Sequence, residues 1–278
     1  MTKKRKYPVV LSIAGSDSSG GAGIQADLKT CCALGVYGMS AITAVTAQNT
    51  LGVIGIQDIN PDMVYNQIKG VAEDIRPDAV KIGMLANATL VKTVGQALRD
   101  FELSNIVLDP VLVASSGSSL SGDKNETAQA MKEFLFPICN VVTPNIPEAC
   151  SLLDIDEEFE DEKSLGIRLL ALTGVKAVLI KGGHTLKTLC TDYLVECATD
   201  KKDLIISEFS APRIESPNTH GTGCTLSSAI ACGLAKGLTL RAAVEEGKKF
   251  VSEAMRHGID VGLGNGTGPL DFLYRNPS

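Results

Sequence analysis

Cys224 has the setting that most suggests chemistry. It stands in Asn218-Thr219-His220-Gly221-Thr222-Gly223-Cys224-Thr225, a polar run broken by glycines that leads into the small and apolar residues 226–235. Gly221 and Gly223 admit backbone angles closed to other residues, so successive N–H groups can turn toward one point. A helix beginning there adds the positive end of its dipole. The junction is therefore expected to cradle an anion. A thiol in the first turn of such a helix would have its thiolate favoured by the same dipole and the same N–H groups. A glycine loop that only turns the chain into a buried helix has the same spelling, so the remaining residues must decide.

The positions that could work with Cys224 follow apolar runs of the kind that form buried parallel strands. Residues 9–14 are such a run, and they end in Gly15-Ser16-Asp17-Ser18-Ser19-Gly20-Gly21-Ala22-Gly23. Asp27 lies near the start of the next helix, over 24–34, either as a solvated first-turn acid or turned into the cleft. A strand over 40–47 leads to Gln48-Asn49-Thr50, a polar triplet suited to reading the hydrogen-bonding edge of a small ring. After a short strand over 53–59, Val64, Ile68, Val71 and Ile75 recur at helical spacing and are read as core packing. Residues 79–85 form another strand, with Met84 either filling core or lying against a flat ring, and a helix follows over 90–98.

Residues 106–110 put Asp109 at a strand tip, and residues 115–121, nearly all Ser and Gly, read as a lid. Asn145 and Glu148, three residues apart after the next strand, could hold magnesium through its water shell or cap a helix over 148–153. Lys181 closes one more strand before two glycines and His184, where it could face a phosphate. Residues 192–197 and 204–209 read as an appended hairpin without obvious chemistry, and a second helix, over 240–257, follows the one after Cys224. Open α/β sheets bind ligands at the carboxyl ends of their strands, so glycine, carboxylate, amide and lysine collect at one edge. That layout suits phosphoryl transfer. No G-x-x-x-x-G-K-[ST] occurs, which excludes a P-loop enzyme, and no acidic residue at the expected spacing completes a dinucleotide fingerprint after Gly15.

The 278 residues, 44% hydrophobic, suit one α/β domain over 1–278 with a basic tail at 1–7. A net charge of -6 argues against a nucleic-acid surface, and Lys3-Lys4-Arg5-Lys6 is the sole basic cluster. No apolar leader and no uninterrupted apolar run of about 18 residues is present, so a cytoplasmic protein without a membrane partner is expected. The 8 cysteines include no C-x-x-C pair, which argues against a metal cage or disulfide framework. Most are expected to pack as small hydrophobes, with Cys224 the exception.

In order along nearly the whole chain, residues 14–30, Thr46-Ala47-Gln48-Asn49-Thr50, Lys81-Ile82-Gly83-Met84-Leu85, Thr143-Pro144-Asn145-Ile146-Pro147-Glu148-Ala149, Lys181-Gly182-Gly183-His184 and residues 218–225 resemble the hydroxymethylpyrimidine/phosphomethylpyrimidine kinases of thiamine biosynthesis. The resemblance implies a ribokinase-like three-layer α/β/α sandwich with a mostly parallel central sheet. It also implies ATP and Mg2+ as cofactors, a homodimer, and successive phosphorylation of 4-amino-5-hydroxymethyl-2-methylpyrimidine and its monophosphate. By the same resemblance Gly15, Asp27, Gln48, Met84 and Val111 hold the pyrimidine. Gly221, Thr222, Gly223 and Cys224 form the anion hole, Asp109 and Glu148 organise the metal, and Thr143, Asn145, Lys181 and Thr219 face the nucleotide.

Related sugar kinases place an Asp where Cys224 stands, as the base for the acceptor hydroxyl. Opposite a phosphorylated acceptor that carboxylate would be repelled by about 4 kcal/mol at 4 Å and an effective dielectric near 20. A thiol avoids the penalty, and it is expected to take the proton in the first step and only to line the anion hole in the second. Pyridoxal kinase is the alternative activity. Some of those enzymes carry a second cysteine on the lid, where this chain has Ala114. A non-catalytic pyrimidine sensor is the alternative of another class, and the presence of Asp109, Asn145, Glu148, Lys181 and Cys224 argues against it.

Overall fold

The apolar runs become the strands of one nine-stranded sheet in the computed structural model, which describes residues 5–112, 122–155, 161–183, 188–198 and 203–275. The strands are β1 (Val9–Asp17), β2 (Tyr37–Asn49), β3 (Gly52–Asp58), β4 (Ala79–Ile82), β5 (Ile106–Leu108), β6 (Val141–Val142), β7 (Ala177–Ile180), β8 (Leu189–Cys197) and β9 (Leu204–Pro212). Their order is β3-β2-β1-β4-β5-β6-β7-β8-β9. Pairing is parallel from β2 through β7, while β3, β8 and β9 pair antiparallel at the two flanks.

Alternate residues of a strand face opposite sides, and the two faces take different helices. Val9, Leu11, Ile13, Val80 and Ile82 enter the larger core, which α2 (Pro61–Asp74), α3 (Ala88–Asp100), α4 (Lys124–Ala130), α5 (Ile146–Leu153) and α6 (Glu162–Thr173) cover. Val10, Ala79 and Val107 enter the smaller core with α1 (Gly23–Ala33), α7 (Thr222–Ala235) and α8 (Leu240–His257). The expected three-layer α/β/α arrangement with a mostly parallel sheet is thus present. Among the described residues no helix is long and apolar enough to cross a membrane.

Several boundaries move, each for a local reason. β1 runs on to Asp17 through a register shift between Ala14 and Ser16, where Gly15 allows the strand to bulge instead of ending. β2 continues through Gln48 and Asn49, so these lie within the strand, paired to β3. β4 and β5 stop at Ile82 and Leu108, leaving Met84 and Asp109 just beyond the strand ends. α7 starts at Thr222 and so includes Cys224 in its first turn. The sequence reading did not single out α4, whose KNETAQA has almost no apolar period, or α6. Of the cysteines other than Cys224, most pack in the interior as expected: Cys31, Cys139, Cys150 and Cys232 are buried, while Cys32 and Cys197 are exposed and Cys190 is partly so.

Alternation also drives two polar side chains, Ser12 and Lys81, into the face covered by α1 and α7. Lys81 is fully buried and meets Asp27 of α1, with Nζ 3.0 Å from Oδ1 and 2.9 Å from Oδ2. Ser12 of β1 donates to Oδ2 at 2.5 Å, and Ser228 of α7 donates to Oδ1 at 2.7 Å. Burial alone would discharge the ammonium, but the Asp27 carboxylate, helped by Cys224 and Asp109, holds Lys81 above the ordinary lysine range. Removing one buried partner leaves the other uncompensated, so Lys81→Met is expected to cost about 3–5 kcal/mol in urea unfolding. Replacing both, with Asp27→Leu added, should recover much of that loss. A double variant as unstable as the single one would show that the pair is worth more than the desolvation it offsets.

Candidate active site

The strand ends and the first turn of α7 converge on the cradle. Gly221 has φ 82°, and a Cβ there would lie 1.9 Å from the Gly21 carbonyl oxygen, so only glycine allows the two glycine loops this approach. Gly221 is also the N-cap of α7 and supplies no side-chain cap, which leaves the positive end of the helix to a ligand. One residue further, a Cβ on Gly223 would sit 3.4 Å from both Asp109 Oδ2 and Lys181 Nζ. The glycine therefore keeps open a space bordered by a helix N-terminus, a carboxylate and an ammonium.

Asp109 is 2% exposed and accepts from Lys181 Nζ at 2.7 Å. Thr143, also buried, has Oγ1 3.3 Å from the same Asp109 oxygen. Glu148 Oε2 stands 3.7 Å from Lys181 Nζ. Of the two sequence readings of Asn145 and Glu148, the capping one is present, because the two residues form a capping box at the start of α5. Asn145 N–H donates to Glu148 Oε2 at 2.8 Å, and Glu148 N–H donates to Asn145 Oδ1 at 2.8 Å. Burial raises the Glu148 carboxyl to about 7, with Asp109 adding to the rise and Lys181 opposing it. Lys181 stays above the ordinary lysine range, because Asp109 and Glu148 outweigh the effect of burial.

The expectation of a favoured thiolate at Cys224 is overturned. Withdrawal from water pushes the thiol up to about 11, and the Asp27 and Asp109 carboxylates add to it. Lys81 and a hydrogen bond from the Gly23 N–H pull the other way without prevailing. The dipole of α7 is real, but the thiol faces two carboxylates as well, and near neutral pH it remains S–H.

On the other flank, Met84 lies against Gly15: its Sδ is 3.4 Å from where a Gly15 Cβ would stand. Val111 is half-buried and turns back on Asp109, its N–H donating to the Asp109 carbonyl at 2.8 Å. Gln48, half-buried, has its carboxamide between Thr46 Oγ1 and His220 Nε2, each at 3.2 Å. Asp27 does not join them, since it is fully buried with both oxygens engaged beneath the cradle. Thr219 is exposed, and its carbonyl accepts from the Thr222 hydroxyl. The expected lid over 115–121, Ala114 and His184 lie outside the described residues. Sequence reasoning missed Lys81, Asp17 and His220 as site-building residues. Their partners lie 54, 203 and 172 positions away, so no local spacing announces them.

A family model described as phosphomethylpyrimidine kinase matches residues 17–271. The chain is 42% identical over 270 residues to a hydroxymethylpyrimidine/phosphomethylpyrimidine kinase of Bacillus subtilis (strain 168), covering 96% of each. It is also 42% identical over 276 residues to a probable thiamine biosynthetic bifunctional enzyme, chloroplastic, of Oryza sativa subsp. japonica; that match takes in 98% of this chain and 49% of the relative, about half its length. Among solved structures, a phosphomethylpyrimidine kinase from Clostridium difficile 630 superposes with a TM-score of 0.74 at 40% identity, over 89% of this chain and 99% of that one. The ADP complex of Bacillus subtilis pyridoxal kinase superposes with a TM-score of 0.84 at 33% identity, over 96% and 98%. The fold is the ribokinase-like one shared with these structures.

The two cradle glycines should respond differently to a methyl group. Gly221→Ala forces a Cβ into backbone at a left-handed φ, so its thermal midpoint should drop well below that of the wild type. Gly223→Ala meets only ordinary contacts, so it should fold normally yet lose on the order of a hundredfold in phosphoryl transfer by filling the cradle. A Gly223→Ala protein of normal activity would remove the cradle from the reaction.

Proposed function

Since the chain belongs to the phosphomethylpyrimidine kinase family, we propose that it transfers the γ-phosphoryl group of ATP to the hydroxymethyl group of 4-amino-5-hydroxymethyl-2-methylpyrimidine, and then phosphorylates the monophosphate to the diphosphate for thiamine biosynthesis. The observation that carries this is the open space at Gly223, 3.4 Å from Asp109 and Lys181, at the uncapped start of α7. Phosphoryl transfer has a loose transition state in which little covalent work falls to the protein, so positioning and charge stabilisation carry most of the rate. Gly221 and Gly223 supply backbone N–H groups to the transferring phosphoryl oxygens, Thr222 between them has its own N–H turned to the Thr219 carbonyl at 3.3 Å, and Lys181 supplies a fixed positive charge beside them. Thr143, Asn145 and Thr219 belong to the nucleotide side.

Asp109 and Glu148 fit a magnesium ion. They offer hard oxygen donors, and the ion pairs both make with Lys181 support a pair suited to face a cation. Bound there, the metal would neutralise charge on the ATP phosphates. The pyrimidine lies against Gly15, Met84 and Val111, with Gln48 reading its edge. A cytoplasmic homodimer completes the proposal.

A thiol that remains protonated changes the role expected for Cys224. It gives a hydrogen bond to phosphate oxygens in both steps and presents no negative charge to an acceptor that is already phosphorylated. The second reading, pyridoxal phosphorylation, is favoured by the TM-score of 0.84 to a pyridoxal kinase. A coupled ATPase assay separates the two: the wild type should turn over the pyrimidine and its monophosphate with kcat/KM at least about tenfold above that for pyridoxal. The reverse order would favour the vitamin B6 reading, and no turnover of any acceptor would favour the non-catalytic one. Cys224→Ala should lower both pyrimidine steps by similar factors, roughly tenfold for one lost hydrogen bond. A loss of about 10²- to 10⁴-fold confined to the first step would return the thiol to the role of base.

A further inference from the structure

Asp17 and His220 are buried beside the cradle, where half-buried Gln48 meets His220, and the phosphoryl chemistry assigns Asp17 and His220 no task. Asp17 ends β1 with its acceptor sites filled. Oδ1 takes the N–H and the hydroxyl of Ser19 at 2.8 and 2.7 Å, while Oδ2 takes the Ala22 N–H at 2.8 Å and lies 2.8 Å from His220 Nε2. Burial opposes its charge, but these bonds, His220 first, hold the carboxyl down at about 2. An ionised carboxylate only accepts, so the proton at this contact belongs to His220 Nε2.

The same ring nitrogen is 3.2 Å from the nitrogen end of the Gln48 carboxamide. In that orientation two donors meet. The Thr46 hydroxyl, moreover, has one hydrogen for two acceptors, the Ser16 carbonyl at 2.9 Å and Gln48 Oε1 at 3.2 Å. Oxygen and nitrogen of a carboxamide fill nearly the same space, and the bonding around them decides which is which. Half a turn of the carboxamide puts an acceptor in place of the second donor: its oxygen takes a longer share of the His220 Nε2–H whose shorter bond goes to Asp17 Oδ2, Thr46 gives its hydrogen to Ser16, and the amide nitrogen donates to Thr46 Oγ1.

We propose that Asp17 and His220 are positioning residues that lock the Gln48 carboxamide in this turned orientation, and so set which hydrogen-bonding edge of a pyrimidine-type ring the pocket accepts. The imidazole is itself held in place. A Cβ on Gly21 would stand 2.5 Å from His220 Cδ2, so glycine is what lets the ring lie there, and the backbone N–H of His220 donates to the Gly268 carbonyl at 3.0 Å. A carboxamide free to turn pairs equally well with an amino-substituted ring edge or with its oxo counterpart, in which donor and acceptor change places. A locked one prefers a single edge, and a mismatched buried hydrogen bond is worth roughly a tenfold to hundredfold preference.

The inference rests on the pyrimidine reading, and the test keeps the two apart. In the full-length protein, kcat/KM is measured for the 4-amino pyrimidine and for its 4-oxo counterpart, together with KM for ATP, and calorimetry gives the two ring affinities without turnover. The wild type should prefer the amino ring. His220→Ala should cut the amino-to-oxo ratio at least tenfold, through KM for the ring and not through KM for ATP. His220→Gln, which can offer an amide N–H in place of Nε2–H, should restore part of the ratio. Asp17→Asn, which can donate to Nε2 and so make it an acceptor, should lower or invert it. A folded His220→Ala protein that loses activity on both rings equally, its ratio unchanged, overturns the proposal. A wild type that binds the amino ring selectively but never phosphorylates it overturns the kinase reading and leaves the ratio readable; one that binds neither ring overturns both.

Discussion

The buried ion pair between Lys81 and Asp27 is the constraint on which the site depends. With Ser12 and Ser228 it joins β1, α1, β4 and α7 at one point under the sheet's carboxyl edge. Water is excluded there, so the charges cannot part without an unpaired ion remaining in the interior. The starts of α1 and α7 are therefore fixed relative to each other. Their leading glycines can then approach to backbone contact, as Gly221 does to Gly21, and the Gly23 N–H can reach the Cys224 sulfur. The proposed cradle would hold an anion without reorganising because of that rigidity.

The pair also contributes to the electrostatics above it. Lys81 pulls the Cys224 thiol toward ionisation, while burial and the Asp27 and Asp109 carboxylates push harder the other way. Lys181 is in turn balanced by Asp109 and Glu148. Each buried cation thus has its own carboxylate partner, and no net positive charge is left over to ionise a thiol. In the proposed reaction Cys224, beside the acceptor, would stay neutral, which would let one pocket admit a hydroxyl and, next, a phosphate.

Much of this was legible in the chain because local rules govern it. Apolar runs ending in Gly, Asp, Gln or Lys named the strands, and the glycines around Cys224 named the loop from which α7 starts. Asn145 and Glu148 were legible as a capping pair for the same reason, their spacing being a local one. Asp27 was not, because a carboxylate near a helix start reads the same whether it faces solvent, ligand or a lysine on β4. The acidity of Cys224 also escaped, since the dipole argument is local and the two opposing carboxylates come from α1 and the end of β5. His220 and Asp17 meet across 203 residues, a distance at which no motif operates.

The account turns on a thiol that is protonated when the acceptor arrives, and titrating that thiol tests it most directly. In protein whose accessible Cys32, Cys190 and Cys197 are replaced by serine, the rate of Cys224 alkylation is followed from pH 6 to about 10, within the range where thiol ionisation governs reactivity. The account predicts a rate that climbs throughout, toward an apparent pKa of about 11. A plateau reached by pH 7 would mean that a thiolate already occupies the cradle, and would contradict it.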